Sequence, residues 1–210
     1  VMQLIFAAFF SLFALAAAPL QAQVAAPTAA NAGDPAARPF IETLTADAFA
    51  ILRDKSLSKA ESRSRFRAML QANVALADIG DRLIARLRRE GKVSPAQYQA
   101  WQAALPEFIL NAYASRLYDY DKASVKVIRT VGRGPFTEVY TRVTRPGEQP
   151  VDAIWQVKQG AKGAPVVNNL IVSGVNLTLT QEADFYSYAQ KNGVDALIAF
   201  VKTSNERKPA

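Results

Sequence analysis

Apolar residues recur every three or four positions between Phe40 and Tyr120, and every second position beyond Tyr120. The first period is that of an amphipathic helix and the second that of a strand with one apolar face. Ile41, Leu44, Ala48 and Leu52 predict a first helix ending near Asp54. Ser58-Lys59-Ala60-Glu61 then has the S-x-x-E form, in which the serine oxygen and the glutamate each satisfy an unpaired backbone donor, so a second helix starts there. Its apolar stripe is Phe66, Met69, Leu70 and Val74. Leu76, Ile79, Leu83, Ile84 and Leu87 predict a third helix, stopped at Gly91 after Arg86, Arg88 and Arg89. Ser94-Pro95-Ala96-Gln97 repeats the start signal, with proline at the first helical position, where its missing donor costs nothing. The helix it opens carries Tyr98, Trp101, Leu105, Phe108, Ile109, Ala112, Leu117 and Tyr120, and Pro106 is expected to kink or divide it.

Three strands follow. Val125, Val127 and Val131 alternate with Lys126 and Thr130; Val139 and Val143 with Glu138 and Arg142; Val151, Ala153, Trp155 and Val157 with Asp152, Gln156 and Lys158. The turns between them are short, around Gly132 to Pro135, Arg145-Pro146-Gly147 and Gly160 to Pro165, which implies an antiparallel meander. A fourth strand is expected from about Val166 to Leu179 with a bulge at Gly174, followed by two short helices separated at Gly193 and ending at Lys202. The order predicts an α+β domain, its helices packed on one face of a roughly four-stranded antiparallel sheet.

The N-terminus changes the picture of where this domain works. Apolar runs from Leu4 to Phe10 and from Leu12 to Leu20, then Gln21-Ala22-Gln23, read as a secretory signal peptide over residues 1–22, cleaved after Ala22. The alternative is a retained membrane helix, which the small residues and the lack of basic residues just beyond the run disfavour. Residues 23–39 form an Ala/Pro-rich leader that cannot build a core, and the domain is expected over residues 40–205. With no cysteine there is neither a disulfide framework nor a lipidated anchor, so the exported product is read as soluble and periplasmic. The 25 basic residues against 18 acidic ones point to an anionic partner surface, whether lipid headgroup, membrane or acidic protein, rather than nucleic acid, for which no recognition motif is present.

Absent histidine and cysteine remove the common general base, the thiol nucleophile, and the usual zinc and haem ligands, so no metal site and no cofactor is expected. There is no G-x-S-x-G elbow, and Gly132-Arg133-Gly134 precedes a strand, which makes it a turn rather than a phosphate cradle. The carboxylate pairs Asp119/Asp121 and Asp78/Asp81 read as solvated helix ends and surface ion pairing. Glu138 and Asp152 fall on the polar strand phase, facing away from the core. No catalytic residue is nominated.

Ser94-Pro95-Ala96-Gln97 with Trp101, Phe108, Tyr113, Leu117 and Tyr120, then Asn169 to Leu177 with Gly174-Val175, then Phe185, Gly193, Asp195, Ala196 and Leu197 resemble the MlaC family of periplasmic phospholipid-binding proteins, also called the toluene-tolerance family. The resemblance spans Phe40 to Lys202. It implies a monomeric, non-enzymatic shuttle carrying phospholipid between an outer-membrane lipoprotein complex and an inner-membrane ABC transporter. It also implies an apolar pocket between helices and sheet that takes the acyl tails. Some relatives are associated with hopanoid pathways. Asn169 and Asn176 stand where the family usually has aspartate and serine, and Gln181-Glu182 replaces a commonly basic stretch.

Taking the apolar strand phase as inward nominates Val127, Val139, Val143, Val157, Ile171, Val175 and Leu177 for the pocket wall, with Phe108, Tyr113 and Leu117 from the helical part. Each of these is by default an ordinary core position. Two rival readings share the fold: a small enzyme acting on an apolar substrate in the same cavity, which needs an inward carboxylate or tyrosine, and a protein-binding adaptor with a solid core.

Overall fold

A computed structural model describes residues 33–117 and 121–206, except for the side chains of residues 112–117 and of residue 206. The stretch read as a signal peptide and most of the stretch read as a leader lie outside the described residues, as do Asp119 and Tyr120. The first helix, α1, spans Ala37–Arg53 and so begins inside the stretch read as leader. Its start is set by Asp34, whose Oδ1 accepts the backbone N–H of Ala36 at 2.9 Å and whose carbonyl accepts that of Ala37 at 3.1 Å. Ala37 is fully buried, and a small alanine carries too little hydrophobic contrast to extend the periodic stripe back to it.

Helix α2 (Lys59–Asn73) opens on the expected capping box: the Glu61 N–H donates to Ser58 Oγ at 3.2 Å and the Ser58 N–H to Glu61 Oε2 at 2.8 Å. The third helical stretch is two helices, α3 (Leu76–Leu83) and α4 (Ala85–Arg89), parted at Ile84, whose φ of −122° and ψ of 16° leave the helical region. Leu83, Ile84 and Leu87 are all buried in one core across the break. Helix α5 (Pro95–Leu117) runs unbroken through Pro106, contrary to the expected division. Buried Trp101, Ala104, Leu105, Phe108 and Leu110 anchor it on both sides of the proline and offset the lost backbone bond.

Strands β1 (Ser124–Arg133), β2 (Phe136–Thr144), β3 (Val151–Gln159), β4 (Pro165–Val172) and β5 (Val175–Asn176) form one antiparallel sheet in that order. The sheet has five strands because the last expected strand folds back on itself. Ser173 and Gly174, with φ of 50° and 79°, make a tight turn rather than a bulge. Leu177 then starts α6 (Leu177–Asn192), with Asn176 as its N-cap, and α7 (Val194–Glu206) follows Gly193.

Two bulges lie elsewhere. Ile128 is the extra residue between the pairs Val127–Thr141 and Arg129–Tyr140, and Asn168 is the extra residue between Gln156–Asn169 and Val157–Val167. Each bulge shifts the remainder of its strand by one residue and exchanges the faces its side chains occupy. On the inner face α1 packs across β1, β2 and β3, burying Ala37, Ile41 and Leu44 against Val139, Val157 and Val167. A separate helical core, drawn from α3 to α7, centres on Trp101, Phe108 and Phe185, with the Trp101 and Phe185 rings edge-to-face at 5.3 Å. The two bodies meet along β4, where Arg82 donates to the Asn168 carbonyl, Lys158 pairs with Asp78 and Thr178 donates to Asn169 Oδ1 at 2.7 Å.

Candidate functional site

Cross-strand pairs share a face, so the register sorts the inner surface into rows. Thr137, Val157 and Val167 make one row, and Thr130, Val139, Trp155 and Leu170 the next. Val127, Thr141, Ala153, Val172 and Val175 make a third, and Val125, Val143 and Val151 a fourth. The first two rows lie under α1, with Val139 at 0% and Val157 at 2% exposure. Toward the other end α1 leads away to the start of β1, where Arg53 donates to the carbonyls of Asp121 and Ala123, both at 2.7 Å. There Val125, Val127, Val143, Val151, Val172 and Val175 are only half-buried. The polar atoms on this face are spent internally: Trp155 Nε1 donates to Thr141 Oγ1 at 2.9 Å, and that hydroxyl donates to the Ala153 carbonyl at 3.2 Å. What remains is a half-buried aliphatic strip beside a closed core.

The structure brings some nominated residues together and separates others. Val127, Val139 and Val157 pack in one cluster under α1, and Val143 and Val175 continue the same face. Leu177 is half-buried but belongs to a helix, not a strand. Ile171 is on the opposite face, paired with Ile154, because the Asn168 bulge reverses the phase of β4 beyond it. Phe108 lies in the helical core, 5.7 Å from Phe185 and 6.2 Å from Phe200, and is not in the cluster with the valines. Tyr113 and Leu117 fall on α5, their side chains outside the described residues. The residues missed were Val125 and Val151, which share the inward row of Val143, and Val172, which takes the inward place assigned to Ile171. The signal for Val172 was the polar pair Asn168-Asn169 inside an apolar strand, where a bulge relieves one of them of facing the core.

The strand carboxylates Glu138 and Asp152 are tied up in local pairing, while burial pushes the Asp184 carboxyl of α6 above its ordinary value. On the outer face Glu138 accepts from the Tyr140 hydroxyl at 2.8 Å and from Gln156 at 3.1 Å, and Asn169 donates to Gln156 Oε1 at 3.1 Å. Asp152 takes two bonds from Arg142, at 2.7 and 3.0 Å, and that guanidinium holds its carboxyl below the usual range. Glu138 and Asp152 thus face away from the core, as their strand phase required. No group of three or more Asp or Glu able to hold a metal gathers among the described residues. Two surface concavities, of about 340 and 430 Å³, lie on the helical body and include none of the nominated residues.

Over residues 42–203 the chain matches the protein family described as MlaC protein. The chain belongs to the MlaC family. Its fold is also that of the phospholipid-binding protein from Ralstonia solanacearum, solved in complex with a phospholipid. The TM-score is 0.68 at 19% identity, over 81% of this chain and 97% of that one. Within this MlaC chain, Asn169 and Asn176 have structural roles. Asn169 links β3 to α6 through Gln156 and Thr178, and Asn176 Oδ1 accepts the Leu179 N–H at 3.2 Å to cap α6.

Proposed function

We propose that this MlaC-family chain is a non-enzymatic phospholipid carrier of the periplasm, exported by a cleaved signal peptide. It holds acyl tails against the half-buried end of the inner sheet face. The observation that carries this reading is the aliphatic strip Val125, Val143, Val151, Val172 and Val175, left half-covered where α1 leads away, on a fold shared with a protein solved with phospholipid bound. A carrier needs such a strip. At roughly 0.8 kcal/mol per methylene, exposing two acyl chains of about thirty methylenes to water costs on the order of 20 kcal/mol. A bilayer shields the same tails equally well, so net exchange lies near zero and direction comes from the docking partners. In this reading those partners are an outer-membrane lipoprotein complex and an inner-membrane ABC transporter, served by a monomer. No helix among the described residues is long and apolar enough to cross a membrane, in keeping with a body that moves between membranes.

Native mass spectrometry of protein purified from cells tests the proposal. A copurifying phospholipid is expected, and its mass separates a glycerophospholipid from a hopanoid. A delipidated, folded protein that takes up neither would overturn the reading.

A further inference from the structure

The two bulges shape the outer face of the sheet as well as the inner one. The Ile128 bulge sets both Ile128 and Arg129 opposite Tyr140, and Tyr140, Ile154, Ile171 and Asn176 continue that row across β2 to β5. Leu179 stands in the first turn of α6, just beyond Asn176. Ile128 is 49% exposed and Leu179 64%, and they are the exposed large hydrophobics among the described residues. Ile128 stands at one end of this row, and Leu179 lies three residues past Asn176 at the other. Between them Tyr140, Ile154 and Ile171 are half-buried.

Cations border this row. The Arg129 guanidinium lies 3.8 Å from the centre of the Tyr140 ring, and the strand phase adds Lys126, Arg133 and Arg142 to the same face. On the strands of this face the acidic residues are Glu138, engaged by the Tyr140 hydroxyl and by Arg133 at 3.5 Å, and Asp152, engaged by Arg142, so that Lys126 and Arg129 supply the surplus positive charge; Lys158 is taken up by Asp78, and Glu182 stands one turn beyond Leu179 on α6. Apolar side chains in a line with long basic ones beside them form the pattern of an interfacial surface, in which aliphatic groups enter the acyl boundary and cations meet anionic headgroups. We propose that the outer sheet face, along Ile128, Tyr140, Ile154, Ile171 and Leu179, docks the protein directly onto an anionic lipid bilayer. Charge complementarity selects that occupant, and the dock is independent of what the inner face carries.

Co-sedimentation of the full chain with vesicles of phosphatidylcholine containing about one-third phosphatidylglycerol tests it. Binding is expected to these vesicles, weakly to phosphatidylcholine alone, and to be lost in about 0.5 M sodium chloride, where the screening length is roughly 4 Å. Ile128→Ser combined with Leu179→Ser should lower the partition coefficient about tenfold, both sites being exposed enough to leave the fold intact. Lys126→Gln with Arg129→Gln should lower it similarly, whereas Arg88→Gln with Arg89→Gln, on the basic helical surface, should leave it unchanged. Undiminished binding by the Ile128/Leu179 variant, loss in the Arg88/Arg89 variant, or a folded protein that ignores anionic vesicles would each overturn the dock. So would loss of copurifying lipid in the Ile128/Leu179 variant, which would place those residues in the pocket instead. Copurifying lipid without vesicle binding would sink the dock and leave the carrier standing.

Discussion

Val139 and Val143 lie on one strand and one face, four residues apart, yet the structure gives them different work. Val139 is fully buried among Ala37, Ile41 and Leu44 of α1, whereas Val143 is half-buried on the open strip. Val139→Ala removes the equivalent of two methylenes, about 1.6 kcal/mol of transfer, and leaves a closed cavity that adds about 1 kcal/mol more, for a total of about 2 to 3 kcal/mol. Val143→Ala removes the same atoms from a site that is partly open already, so about 0.5 to 1 kcal/mol is expected. At roughly 2 to 4 °C per kcal/mol for a domain of this size, Val139→Ala should lower Tm by about 4 to 12 °C and Val143→Ala by no more than about 4 °C. Lipid retention should run the other way. Val143→Ala is expected to lose copurifying lipid while Val139→Ala keeps it at temperatures where it is folded. Urea unfolding at constant m-value reads the first quantity and native mass spectrometry the second. Equal destabilisation by both, with lipid unaffected by either, would refute the division of this face into core and wall.

Phe185→Ala should cost about 3 to 5 kcal/mol, since the ring is fully buried and packs on both Trp101 and Phe108; a loss under 1 kcal/mol in chemical denaturation would show that the helical core is not organised around it. Gly174→Ala should destabilise by about 1 kcal/mol through backbone strain alone, because φ is 79° and an added Cβ meets nothing within 4 Å. A neutral result in a thermal melt would argue against the turn. The Glu90 carboxyl is held down to about 2 by hydrogen bonds from Lys92 and the Tyr186 hydroxyl. Because the folded value is depressed, its contribution is complete above the ordinary value near 4.5 and is lost as pH falls from there to about 2. The Tm difference between the parent and Glu90→Gln should therefore be largest at neutral pH and close by pH about 2, and a constant difference across that range would contradict the linkage.

Much of the molecule was legible from local chemistry. The serine caps Ser58 and Ser94 start helices where their side chains can reach Glu61 and Gln97, and alternation in β1 to β3 names the strands without help from elsewhere. These features depend on dihedral preferences and hydrogen bonds within a few residues, and the chain carries them wherever it goes. The order of residues from Ser94 to Leu197 was likewise enough to suggest the family.

Other features have no local signature strong enough to read. Ala37 is buried because a distant face of β2, β3 and β4 arrives above it, and the break at Ile84 between α3 and α4 falls inside an uninterrupted apolar period. Phe108 was assigned to the sheet pocket and went to the helical core, since an apolar stripe states that a residue is buried but not against what. The bulges matter most for function. Inserting Ile128 and Asn168 into paired strands is a property of register, which is settled jointly by two neighbouring strands, and one extra residue reverses every face after it. Periodicity along the chain thus names the elements and their apolar residues, while strand pairing sends Val172 inward and Ile171 outward, and so separates the strip proposed to meet a lipid tail from the surface proposed to meet a membrane.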